Sequence, residues 1–143
     1  MNPISIPYDP QFYRTQAHHS NLYFGASIAA LRLLASRKGY NFVGTNSTGV
    51  NAFFVRNDYA MHLADAIRNA SPWPSRSRES RDAHGQFTYV SGLDRLDLIA
   101  HLPVVNVETG RTMRLGEVGR LYSEEWIKEI CAGYSAAEPS LAR

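Results

Sequence analysis

The spacing of apolar residues changes once within the first sixty positions, and that change outlines the chain's best-defined unit. Ile28, Leu31, Leu34 and Ala35 recur at helical spacing, which predicts an amphipathic helix over 21–38. Ser20 or Asn21 suits its N-cap, Arg37 and Lys38 suit the negative end of its dipole, and Gly39 suits the position just past its end. The small residues Gly25, Ala26, Ser27, Ala29 and Ala30 would let such a helix approach a sheet closely. From Tyr40 the period shortens to two, and strands are predicted over 40–45 and 51–56 with a tight connection between them. Tyr40 and Phe42 share one face and Val43 takes the other, while Phe53 and Val55 oppose Phe54. Both faces of this hairpin are therefore apolar, as in strands covered on both sides. A lone two-stranded hairpin is marginal in water, so it is expected to join further strands as the edge of a larger sheet.

The flanking segments read less sharply. Residues 1–20 contain Pro3, Pro7 and Pro10 and are expected to be an irregular lead-in. Met61, Leu63, Ala64 and Ile67 predict a second helix over 59–69. A polar connector follows over 71–91, rich in Ser and Arg and broken by Pro72 and Pro74, with a short strand expected over 86–90. Leu93, Leu96 and Ile99 predict a helix over 92–101, and strands over 104–107 and 112–115 form a second hairpin with Gly110 supplying positive φ. Ser123-Glu124-Glu125-Trp126 resembles a capping box and opens a last helix over 123–132, before a frayed tail over 136–143. The expected organisation is a lead-in (1–20), a helix–hairpin–helix core (21–70), the connector (71–91), a second helix–hairpin–helix part (92–135) and the tail. As an isolated chain this is α+β.

Composition narrows the function classes. At 143 residues, with 44% hydrophobic and 20% charged residues, the chain fits one ordinary globular domain. A chain of this size buries about 68–70% of its unfolded surface. A net charge of +2 is too small for the dense basic face of a nucleic-acid binder. Cys131 is the single cysteine, so an intrachain disulfide and a Cys-rich zinc site are excluded. The N-terminus lacks a basic then apolar leader, and no apolar run reaches the roughly 18 residues that span a bilayer. A cytoplasmic protein without membrane partners is expected.

Candidate chemistry is sparse. Gly44-Thr45-Asn46-Ser47-Thr48-Gly49 has the outer spacing of a phosphate loop, but Val50 and Asn51 stand where Lys and Ser/Thr are needed. The loop also joins two strands, so it reads as a turn built from small polar residues. Asn46, Ser47 and Asn51, with Tyr23 near the helix start, are candidates to line a substrate pocket, since amides and hydroxyls orient ligands; capping of the turn is the plainer role. Arg76, Arg78 and Arg81 form a candidate anion site, against a solvated loop in which they pair with Glu79 and Asp82. His18, His19, His62, His84 and His101 show no metal-ligand spacing, so no metal site is expected; His18-His19 reads as a polar lead-in. Cys131 reads as a small buried hydrophobe. No glycine-rich GxGxG-type loop follows a strand, so the chain alone is expected to bind no nucleotide cofactor.

Several stretches resemble a known family: Tyr23-Phe24-Gly25-Ala26-Ser27, Lys38-Gly39-Tyr40, Val43-Gly44 with Asn46, and Asn51-Ala52-Phe53-Phe54-Val55-Arg56. The run from Pro74 to Arg81 and the hairpin Pro103–Arg111 add to the likeness. Together they are similar to the C-terminal portion of bacterial FkbM-like, class I S-adenosylmethionine-dependent methyltransferase-like proteins, over most of residues 4–117. The resemblance implies the closing end of an α/β, Rossmann-like fold, in which an antiparallel hairpin follows the last helix. It also implies that the glycine-rich loop and acidic residues that bind S-adenosylmethionine lie upstream of this chain, which would be a truncated or split product. No cofactor residue carries over.

Three functions follow as expectations. The first is a non-catalytic C-terminal module whose companion polypeptide supplies the S-adenosylmethionine half. The second is a self-associating protein in which hairpins 40–56 and 104–116 share one sheet. The third is a small enzyme with an unrecognised pocket around Asn46, Asn51 and Arg76–Arg81.

Overall fold

The lead-in, expected to be irregular, supplies a strand. In the computed structural model, which describes residues 2–73, 79–90 and 92–128, β1 (Ile4–Ser5) pairs antiparallel with β4 (Pro103–Asn106), Ile4 standing opposite Asn106. β4 pairs in turn with β5 (Thr112–Arg114), giving the order β1-β4-β5. The other edge of β1 meets residues 25–27: Ser27 N–H donates to the Ile4 carbonyl at 2.8 Å, and Ile6 N–H donates to the Gly25 carbonyl at 3.1 Å. Proline obstructs a strand only where a donor is needed. Pro3, just outside β1, still accepts from the Val107 amide at 2.9 Å.

This pairing also explains why the long helix starts late. α2 spans Ile28–Arg37, not 21–38, and its N-cap is Ser27, whose hydroxyl accepts from the Ala30 amide at 3.2 Å. Asn21 and Gly25 both adopt left-handed backbone, at φ 58° and 77°. Gly25 takes that conformation without steric cost, which ends any continuous helix there. Gly25, Ala26 and Ser27 therefore serve as extended backbone against β1, where close helix–sheet packing was expected. Leu22 and Tyr23 are buried with Ile4 and Val104, and the Tyr23 hydroxyl donates to the Pro103 carbonyl. A short α1 (Arg14–Ala17) precedes this segment.

The first hairpin forms where expected, as β2 (Tyr40–Thr45) and β3 (Ala52–Arg56), with an irregularity between Phe42 and Gly44. Phe42 is buried opposite Phe54, their ring centroids 5.6 Å apart. The expectation that this hairpin joins further strands is not met: among the described residues β2 and β3 make a separate two-stranded sheet. The two hairpins consequently do not share a sheet, as the self-association reading supposed. The face carrying Phe53 is open, with Phe53 52% exposed. α2 packs on one strand of it, β2, and α3 (Ala64–Arg68) packs on the same strand.

The predicted helix over 59–69 begins as a tighter 3₁₀ run, Asn57–Leu63, before α3. The predicted helix over 92–101 is α4 (Asp94–Ile99). The strand expected over 86–90 reduces to a single bridge between Arg81 and Phe87. β4 and β5 match the predicted second hairpin, and Gly110 carries the expected positive φ of 74°. The Asn106 side chain closes that turn by accepting from the Glu108 and Thr109 amides. Ser123 caps a helical segment over 124–128 by accepting from the Trp126 amide at 3.1 Å; the rest of that predicted helix, Cys131 and the tail lie outside the described residues. Every strand pair is antiparallel, so the fold is mixed helix and antiparallel sheet, α+β. No helix among the described residues is long and apolar enough to cross a membrane.

Candidate functional site

Several elements together build an apolar groove of about 610 Å³. Ile4 and Ile6 form part of its floor, Leu22 and Phe24 one wall, Ile28 and Leu31 of α2 another, and Leu96 and Ile99 of α4 the opposite side. Tyr122 and Trp126 close one end, stacked at 3.9 Å between centroids and 10° between planes. The alternation of β1 and the helical spacing of α2 and α4 aim these side chains inward.

Few polar side chains line the groove, and its two serine hydroxyls have fixed partners. Ser27 Oγ accepts from the Ile4 and Ala30 amides and donates to the Asn2 carbonyl at 3.0 Å. Ser5 Oγ donates to the Gly25 carbonyl at 3.3 Å. Arg95 donates to the Gly92 carbonyl and sets its guanidinium 5.8 Å from the Trp126 ring centroid. Burial raises the pKa of the Tyr122 phenol, an effect only partly opposed by Arg95, so the ring enters this wall uncharged near neutral pH. The groove's described lining is mainly apolar, with the Arg95 guanidinium at its margin.

The sequence-predicted pocket residues are not brought together there. Tyr23 turns to Pro103 while its neighbours Leu22 and Phe24 line the groove. Asn46 organises its own loop: its side-chain oxygen accepts from the Val50 and Asn51 amides at 2.9 and 3.0 Å, and its amide nitrogen donates to Thr48. Ser47 and Asn51 are exposed, and only Val50 of that loop reaches the groove. The turn role of the loop is the one the geometry realises.

Arg81 of the candidate anion site stacks on Phe87, with its guanidinium carbon 4.2 Å from the ring centroid. It also donates to the Gly85 carbonyl and lies 3.6 Å from Glu79. Asp82 accepts from the His84 and Gln86 amides and so organises its own turn. Arg76 and Arg78 lie outside the described residues. Within the connector the buried Ser80 hydroxyl hydrogen-bonds Thr88 and accepts from the Val90 amide, and the Arg81 amide docks the segment by donating to the backbone carbonyl of fully buried Ser20.

Sequence reasoning missed one cluster. His18 lies 4.2 Å from His19 and 5.6 Å from His101, ring centroid to ring centroid. Their separation in the chain hides this, and the adjacent pair His18-His19 was the only signal. The described residues hold no group of three or more His, Cys, Asp or Glu side chains placed to bind a metal ion. Compared with known proteins, the chain matches no family model, no curated protein and no solved structure.

Proposed function

We propose that this chain is a cytoplasmic, non-catalytic module, the C-terminal part of a FkbM-like methyltransferase-like assembly. In this reading it closes the edge of a companion polypeptide's Rossmann-like sheet, and the companion binds S-adenosylmethionine. One observation carries the proposal. Among the described residues β2 and β3 pair only with each other, while Phe53 and Tyr40 stand 52% and 41% exposed beside them. Strand edges of this kind are templates for another strand, and an isolated hairpin gains most from one.

The order of α2, β2 and β3 supports the same reading, because the resemblance implies a closing hairpin directly after the last helix. Nucleotide-type ligands in open α/β sheets sit at the carboxyl ends of parallel strands. The described strand pairs are all antiparallel, so that position would belong to the companion. Self-association is the second reading, favoured by the same open edges. The third, an enzyme built around Asn46, Asn51 and Arg81, has less support because Asn46 and Arg81 hold their own loops.

Two measurements test the proposal. Calorimetric titration of the chain with S-adenosylmethionine is expected to give no binding heat, and saturable micromolar binding overturns it. Light scattering over a wide concentration range is expected to give a monomer. A dimer that Phe53→Lys dissociates would instead establish the second reading.

A further inference from the structure

The three histidines sit at a junction that the proposed function does not use. The segment 18–27 runs from the end of α1 to the cap of α2 and supplies Leu22 and Phe24 to the groove wall. His101 lies between α4 and β4, the corner against which this segment is held. His18 Nδ1 is 2.8 Å from the Ser20 hydroxyl and 3.3 Å from the Ser20 amide nitrogen. A backbone amide only donates, so Nδ1 must be an unprotonated acceptor in this arrangement.

We propose that His18, His19 and His101 form a proton-operated latch, which holds the segment 18–27 against the α4–β4 corner at neutral pH and releases it on mild acidification. Protonating His18 converts Nδ1 from acceptor to donor: it can then donate to the Ser20 hydroxyl, but it no longer accepts the Ser20 N–H and is set against it. It also places positive charge beside two further imidazoles, the side chain whose charge changes between pH 5 and 8. Ser20 is the fully buried pivot: its hydroxyl accepts from the Leu22 amide and its carbonyl accepts from the Arg81 amide. Leaving the Ser20 amide without its acceptor in this buried position therefore loosens the groove wall and the docked connector together.

The surrounding charges do not offset the added proton. Arg14 of α1 donates to the Asn21 carbonyl at 2.8 Å and covers the Phe24 ring, adding positive charge to the same segment. From the connector, Arg81 directs its guanidinium to Gly85 and Glu79. On α4, Asp94 and Asp97 line a separate cleft with Tyr89 and Val90. Burial first, then His19 and His101, lower the pKa of His18. The unfolded or released chain thus binds the proton more readily, so the latch is complete above the ordinary imidazole value of about 6.5 and is lost as pH falls from there through the lowered value of His18.

Hydrogen exchange resolved by amide, corrected for intrinsic rates, tests this between pH 7.5 and 5. The Leu22 and Ser27 amides are expected to lose protection severalfold on acidification, while the α2 amides keep theirs. His101→Gln removes one neighbouring charge and is expected to make the loss shallower and move it to lower pH. Unchanged protection at Leu22 and Ser27 overturns the latch, as does an equal loss throughout α2. A transition that His101→Gln leaves in place overturns it as well, and the wild-type profile alone decides if that variant does not fold.

Discussion

The sheet β1-β4-β5 and the hairpin β2–β3 solve the same problem of covering strand edges in opposite ways. β1 is only two residues long, yet it is paired on both edges by segments from far along the chain. Its Ile4 and the facing Val104 are buried. β2 and β3 are longer, are neighbours in the chain, and keep an exposed aromatic. Strand length and local pairing therefore do not locate the core here. Long-range closure does, because burial depends on what arrives from elsewhere in the chain.

Substitutions can break or sharpen that contrast. The largest effect is expected from Ile4→Ala, which should cost about 2–5 kcal/mol in urea unfolding, since it deletes most of a buried aliphatic side chain. A smaller loss, about 0.5–1.5 kcal/mol, is expected from Tyr23→Phe, which removes the hydroxyl bond to Pro103 and keeps the buried ring. Least of all, Phe53→Thr should change the stability of the chain alone by no more than about 0.5 kcal/mol, because the site is half open and the replacement keeps strand propensity. If Phe53→Thr destabilised as much as Ile4→Ala, the hairpin would be as closed as the sheet and the contrast would fail.

Legibility in the sequence followed the same division. The hairpin over 40–56 and the turn at Gly110 could be read because period two and turn residues act over a few positions. The late start of α2 could not, since what holds Gly25 to Ser27 out of the helix is their hydrogen bonding to β1, a partner far away in the chain. The apolar groove was equally hidden. Phe24, Tyr122 and Trp126 each resemble ordinary core residues in sequence, and only their convergence makes a site. Asn46 was readable as a polar loop residue, but its bonds to Val50 and Asn51 decide that it caps the turn.

Local order was within reach of the sequence: where most helices and hairpins form, which residues turn the chain, and that five imidazoles were present. The tertiary structure decided which strands meet, which apolar face stays open and which histidines become neighbours. Propensity and periodicity act through bonds a few residues apart, whereas pairing and burial depend on contacts that no short window of sequence contains.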